Sequence, residues 1–419
     1  MSTCVLLVAA GVLAACGGTD APISSAGDAG GAPTDAGAAG DGATDGSPTD
    51  GSPGDGGACA SLASGASDVY VDKRYAGASS TGVAACPFTT IAAGVAAAAN
   101  LTGTRTVHVA GDVPALVYAE TGAVTVATNV ILLGDGPAKT KISASGTCDL
   151  RTCAVSVIGS GVLDGFTVVS PMGDGITTAV AVSPPVVRNV VASGSKGSGI
   201  LTQGAVDLGP HVVASNNDGE GVSSTGGGIV HVVSAAGVAN AFDHNGANGI
   251  NVEGASLVFE GGTAVGNTLN GIRFGAAGSL TAGHAILGLV ATGNATGVAA
   301  FNGQNLKVRS STLLTNSNYG LAYSYVTGYT LDLGGVGDLG NNKLGGATIS
   351  VRNAKAGIYL CHSRGPATQS ADGDFFAQCP PIVTSLSGCD TAPGVYTDVA
   401  YVPTVVGSPL SAASCTVGP

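Results

Sequence analysis

The chain has 419 residues, of which 69 are glycine, 10% are charged, 4% are aromatic and none is tryptophan. Glycine at this level without a Gly-X-Y period excludes collagen, and 44% apolar residues exclude a wholly disordered chain. The net charge of −12 comes with no basic stripe to neutralise phosphates, so nucleic acid is not an expected partner.

The acidity is unevenly spread. Residues 17–58 hold seven Asp and no Lys or Arg, and the remainder carries twenty acids against fifteen bases. More than half of the net charge therefore belongs to a segment that repels itself and stays solvated, and it says little about a ligand.

In chain order, the first element is the apolar run Val5 to Val12, long enough for a signal h-region and too short to span a bilayer. It leads into Leu13-Ala14-Ala15-Cys16, which resembles the lipobox of bacterial lipoproteins. That resemblance implies a signal peptide over residues 1–15, acylation of the Cys16 thiol and attachment to a membrane. The run lacks the usual preceding Lys or Arg, a departure from the pattern. Gly17 and Gly18 stand where an inner-membrane retention signal would carry an acid, which by the same resemblance favours the outer membrane or cell surface. Residues 16–58 read as a lipidated cysteine and a disordered Gly/Ala/Asp/Pro tether with almost nothing to bury. A flexible coil of this length reaches roughly 35 Å.

Eight cysteines follow: Cys59, Cys86, Cys148, Cys153, Cys361, Cys379, Cys389 and Cys415. An even number in an exported chain reads as disulfides. None of the spacings is Cys-x-x-Cys, and no metal site or cofactor is expected. Cys148 with Cys153 would close a local loop, Cys59 with Cys86 would staple the start of the body, and the last four would staple its end.

The body is periodic. A glycine followed by an aliphatic residue recurs at Gly175, Gly199, Gly221, Gly249, Gly271, Gly297 and Gly320, at spacings of 22 to 28 residues. That is one turn of a parallel β-helix, with three short strands and three corners. Asn217, Asn245, Asn267, Asn316 and Asn341 each lie four residues before a glycine, and Asn294 is shifted by one. Coils stacked ~4.8 Å apart would turn these amides into a ladder. After each glycine the pattern alternates, as in Ile250-Asn251-Val252-Glu253 and Ile272-Arg273-Phe274, which sends aliphatic residues to the bore and polar ones outward.

Further motifs point to a family. Val69-Tyr70-Val71-Asp72, Pro87-Phe88-Thr89-Thr90-Ile91, Val107-His108-Val109, Tyr118-Ala119-Glu120, Ile131-Leu132-Leu133-Gly134-Asp135-Gly136 and Leu163-Asp164-Gly165-Phe166 stand in order. The motifs up to Gly136 resemble the uncharacterised conserved domain that opens many bacterial right-handed β-helix proteins of the pectate-lyase-like superfamily, and the run from Leu163 to Val168 resembles a strand common later in the same proteins. The fold class expected is all-β, a right-handed parallel β-helix solenoid of about ten coils. Residues 59–104 would form an N-terminal cap with a short helix from Ile91 to Ala99, residues 105–355 the β-helix, and residues 356–419 a Cys-rich, disulfide-stapled C-terminal cap.

Signals for chemistry are weaker. The resemblance implies, for enzymes of the superfamily, calcium-binding acids with a basic abstractor or paired aspartates with Gly-His-Gly. Gly283-His284-Ala285 is the nearest fragment, and no paired aspartates accompany it. Gly334-Gly335-Val336-Gly337-Asp338 is similar to a calcium nonapeptide but occurs once, which fits a turn. His211 and His231 sit at different offsets from their glycines and should not stack. Stacking places Asp174, Ser198, Glu220, Asn248, Asn270, Thr296 and Tyr319 in one outward column. Leu201, Ser223, Asn251, Arg273, Ala299 and Ala322 form another. Glu220, Asn251, Glu253 and Arg273 are the candidate ligand-binding residues, and a solvated wall is the plainer reading. The expected function is a surface-anchored lipoprotein that binds or adheres to extracellular glycan or a protein partner without catalysis. A divergent polysaccharide lyase or glycoside hydrolase and a structural envelope component are the alternatives.

Overall fold

The computed structural model describes residues 59–148, 151–179, 183–275, 283–301, 303–325, 329–335, 337–346, 348–362, 369–387, 389, 393–401, 410–411 and 415–417. The expected signal peptide, Cys16 and the tether lie outside the described residues. The body is a parallel β-helix. One sheet runs by parallel pairing from Asp68–Val71 to Leu410–Ser411, and a second from Val124–Val126 to Thr397–Tyr401 and Val383–Ser385.

Alternation explains how the coils close. On the second sheet Ile176, Ile200, Val222, Ile250, Ile272, Val298, Leu321, Ile358 and Val399 pair in register. Every one of them is buried. On the first sheet Val107, Leu132, Leu163, Val187, Leu208, Val232, Phe259, Ile286 and Val308 form the facing column. Both columns belong to one continuous hydrophobic core. Each buried aliphatic side chain contributes about 1.5–3 kcal/mol, so the bore is the main source of stability.

The Asn ladder explains why Asn and Gly recur together. Each ladder Nδ2 donates to a carbonyl of the preceding coil and, in all but the last rung, to the next Asn Oδ1, whereas Asn353 Nδ2 meets Leu313 O and Leu344 O. Asn267 Nδ2, for example, meets Phe242 O at 2.9 Å and Asn294 Oδ1 at 3.1 Å. The rungs run Asn217, Asn245, Asn267, Asn294, Asn316 and Asn353. A Cβ on Gly249 would stand 2.9 Å from Asn267 Nδ2 and 2.6 Å from Gly271 O, so an amide rung in one coil requires a glycine in the coil before it. Residues just before the rungs, Asn216, His244, Gly266, Gly293 and Thr315, take left-handed backbone at φ 55 to 69. The corner geometry thus falls one residue earlier than the ladder itself.

Asn341 does not belong to this ladder. The coil between Gly320 and Gly357 holds 37 residues, and Asn353, four before Gly357, supplies the rung. Asn341 is exposed at φ 53, while its neighbour Asn342 turns inward and bonds Asp374 Oδ1. The longer coil moved the repeat glycine from Gly345 to Gly357, and the four-residue offset moved with it.

The helix Ile91–Ala99 plugs the first coil. Thr90 caps it by accepting from Ala93 N, and the Glu120 carboxylate takes Ile91 N at 2.7 Å. Ile91, Val95 and Ala98 are buried against the strands. Pro87 and the alanine-rich run are suited to a helix start and body, and the plug hides strand edges that would otherwise recruit another chain.

Both ends extend further than the sequence boundaries place them. Asp68–Val71 already pairs with Arg105–Val109, so coiling begins within residues 59–104. Ala356–His362 pairs with Tyr319–Tyr325 and with Thr397–Tyr401, so the Cys-rich segment continues the second sheet. Disulfides join Cys59 to Cys86, Cys148 to Cys153 and Cys361 to Cys389. Cys379 is also disulfide-bonded, and the Cys415 side chain lies outside the described residues.

Candidate functional site on the second sheet

The outward side of the second sheet forms a closely packed floor of small, polar and apolar side chains. Register stacks Thr177, Leu201, Ser223, Asn251, Arg273, Ala299, Ala322 and Tyr359. Most of these are small or polar, and all except Arg273 are buried although they point away from the bore. A parallel column holds Asn270, Thr296, Tyr319 and Ala356.

Three of the four candidate residues meet. Arg273 Nη1 donates to Asn251 Oδ1 at 2.8 Å and to Glu253 Oε1 at 2.9 Å. The Arg273 hydrogen bond holds the Glu253 carboxyl below its ordinary range, so a fixed ion pair stands over the floor. Half-exposed pairs of this kind add at most about 1 kcal/mol of stability. Their use is to present a guanidinium in one orientation. Asn270 Nδ2 donates to Asn248 Oδ1 at 2.8 Å in the next column.

Glu220 stands apart from that cluster, one coil before Asn248. Its Oε2 accepts Ser198 Oγ at 3.3 Å, while Ser198 N donates to Asp174 Oδ1 at 2.7 Å. One serine thus bridges two carboxylates, from the coils on either side of its own. Burial pushes the Asp174 carboxyl above its ordinary value, against hydrogen bonds from Ser198.

At the C-terminal end of the same face lies a cluster that the residue pattern did not reveal. Tyr319 and Tyr359 stack with centroids 4.6 Å apart and planes 18° apart, and Lys355 Nζ lies 5.7 Å from the Tyr319 ring centre. The Arg352 guanidinium covers the Tyr396 ring at 4.9 Å. Arg352 and Tyr396 line a groove of about 760 Å³ that follows the ladder corner past Thr268, Ala295 and Ser317. Tyr319 stood in its column, but its partner is 40 residues on, in the atypical long coil. No repeat spacing points to it.

Other signals fall elsewhere. His284 is buried against Phe274, with Nε2 2.8 Å from Gln304 Oε1 and Nδ1 accepting from Leu257 N. Burial lowers its pKa, and both ring nitrogens are used within the fold, which marks a structural histidine. His211 Nδ1 bonds Asn189 Oδ1, whereas His231 faces Asp207 and Glu260, so the two histidines occupy different columns. Asp338 closes the glycine-rich turn and pairs with Arg309 and Lys307. Among the described residues, no three His, Cys, Asp or Glu side chains converge to hold a metal.

No family model and no curated protein matches the sequence. Among solved structures, the Dettilon tailspike protein gp208 is 13% identical, with a TM-score of 0.46, over 80% of this chain and 68% of that one. The A-module of the Azotobacter vinelandii mannuronan C-5 epimerase AlgE4 is 15% identical, with a TM-score of 0.39, over 84% and 100%. The A-module of the AlgE6 epimerase of that organism is 14% identical, with a TM-score of 0.38, over 78% and 94%. At these values the likeness bears on neither ligand nor chemistry.

Proposed function

We propose that the protein is a lipid-anchored β-helix of the bacterial envelope that binds an extracellular polysaccharide along the outer face of its second sheet. The observation that carries the reading is the outward track that runs from the Arg273–Glu253 pair through Asn270 and Thr296 to the Tyr319 ring. Oriented charge, amides and an aromatic face along a track set by ~4.8 Å coils suit a linear chain of sugar rings. The anchor rests on Leu13-Ala14-Ala15-Cys16. The test of binding is a glycan array probed with the full chain and with Arg273→Ala and Tyr319→Ala variants. A wild-type hit weakened about tenfold in each variant supports the reading. No hit, or one indifferent to both changes, overturns it in favour of a protein partner or a structural layer. For the anchor, metabolic palmitate labelling should vanish in Cys16→Ser, and label that persists removes it.

The Asp174–Ser198–Glu220 bridge favours one second reading, hydrolysis of the bound glycan. Asp174 and Glu220 are two coils apart, about 9.6 Å by coil spacing, near the upper separation of inverting glycosidases. The Asp174 carboxyl, pushed upward by burial, is the one suited to the acid and the half-exposed Glu220 to the base. Reducing ends released from the array hit by wild type, and abolished by both Asp174→Asn and Glu220→Gln, would establish it. An intact polymer would leave binding alone.

A further inference from the structure

The first sheet carries a groove of its own, about 600 Å³, over the opening coils. It stands apart from everything assigned to the second sheet, whose outer surface points away across the bore. Its floor is aromatic. Tyr70 and His108 are register partners, stacked with centroids 5.0 Å apart and planes 16° apart. His108 Nε2 lies 2.7 Å from Asp68 Oδ1, which fixes the ring plane. Tyr70 is gripped through its backbone, its N donating to Gly82 O and its carbonyl accepting from Phe88 N. The loop that supplies both partners is tied down by Cys59–Cys86. The platform is therefore built before any ligand arrives.

The facing wall is polar and equally constrained. Asp135 Oδ2 accepts Gly111 N at 2.7 Å, and Asp164 takes Arg188 Nε at 2.7 Å and Asn189 Nδ2 at 3.4 Å. Asn189 and His211 hold left-handed backbone at φ 50 and 61 and are bonded to each other at 3.0 Å. Non-glycine residues in that region each cost about 1–2 kcal/mol, so this rim is held in place by its surroundings. Carboxylates only accept hydrogen bonds, and each keeps lone pairs beyond those used. Asp72, Asp135 and Asp164 line the groove, but Arg74 pairs with Asp72 and Arg188 with Asp164, so the rim is close to balanced and offers acceptors rather than a strong field.

We infer that this groove is a binding site for a neutral sugar unit, packed against the Tyr70–His108 stack with its hydroxyls donating to Asp135 and Asp164. The rod then carries two carbohydrate surfaces, and either can exist without the other.

Isothermal titration of the full chain with cellohexaose, xylohexaose and mannohexaose tests the inference, with a galacturonate hexamer as the anionic probe. At least one neutral probe should bind. Tyr70→Ala should weaken it about tenfold and Asp135→Asn several-fold, Tyr70→Phe should retain it, and Arg273→Ala and Tyr319→Ala should leave it unchanged. If Tyr70→Ala shifts the urea midpoint, the surface change Asp135→Asn decides. Failure of all three neutral probes at millimolar concentration overturns the inference. So does full affinity in Asp135→Asn, or tighter binding of the galacturonate hexamer at this groove. Because the variants lie on different sheets, loss of this site and loss of the second-sheet site are read separately.

Discussion

At the corner leading into the second sheet, six asparagines from Asn217 to Asn353 pass hydrogen bonds from coil to coil, and each amide is neutral at every pH. At the bend of the first sheet a shorter ladder runs through Ser311 and Asn342 and finishes on Asp374. Asp374 Oδ1 takes both the backbone N and Nδ2 of Asn342, at 2.9 and 3.1 Å, as an asparagine oxygen would. Its Oδ2 is buried, with no acceptor-side partner. Burial pushes this carboxyl up to about 8, against the pull of the Asn342 hydrogen bonds. An amide supplies donor and acceptor unconditionally, whereas a carboxyl imitates it only while it keeps a proton.

The largest expected effect tests the amide ladder. Asn267→Ala strips partners from Asn245 N, Asn245 Nδ2 and Phe242 O together. It should cost about 4 kcal/mol in urea denaturation, since each buried orphan costs roughly 1–3 kcal/mol. A loss below 1 kcal/mol would show that water replaces the rung.

Gly249→Ala comes next, at about 3 kcal/mol, because the new Cβ meets Gly271 O at 2.6 Å and Phe242 O at 2.7 Å. Backbone, which cannot swing aside, forms most of that obstacle. A neutral outcome in the same denaturation assay would mean that the stack can spread locally.

Asp374→Asn sharpens the contrast between the ladders. The native carboxyl titrates near 8, above its ordinary 3.8, so between those values the folded chain keeps a proton that the unfolded chain has released. Stability therefore falls as pH rises through that window, by up to ~1.4 kcal/mol per unit, and is undiminished below it. The variant should match wild type at pH 4 and be the more stable of the two at pH 8, with the gap widening at each pH between them. Parallel pH dependence in the two proteins would locate the proton elsewhere.

The smallest effect concerns Thr315, a β-branched residue at φ 55 beside the rung Asn316. Thr315→Gly should raise the thermal midpoint, for a gain of about 1 kcal/mol, because left-handed backbone costs glycine nothing sterically. An unchanged or lower midpoint would mean that the Thr315 side chain repays its strain.

Much of the fold could be read from residue order because the bore and the ladder both demand local pattern. Ile250, Asn251 and Val252 alternate since the pleat does, and Gly249 precedes them since Asn267 needs the space. That logic failed where a coil lengthened, at Asn341, because an excursion leaves no periodic mark of where the stack resumes. The site was legible in proportion to its repetition. Asn251 and Arg273 fall one coil apart and were paired by register. Tyr359, Arg352 and Tyr396 belong to coils without counterparts, and nothing local in the chain distinguishes a tyrosine that stacks from one that does not. The groove at Tyr70 escaped for the same reason, since its walls come from a disulfide-tied loop and three separate corners.

The 37-residue span between Gly320 and Gly357 has one more implication. Its flanking strands pair as closely as those joined by shorter turns, with Leu321 opposite Ile358 and Tyr323 opposite Leu360. Extra chain can therefore be spliced in at that corner without disturbing the layers on either side, since each layer senses only its immediate neighbours. A scaffold with this property can change what it displays by lengthening a single loop, and the aromatic and cationic cluster around Arg352 sits on this longer coil.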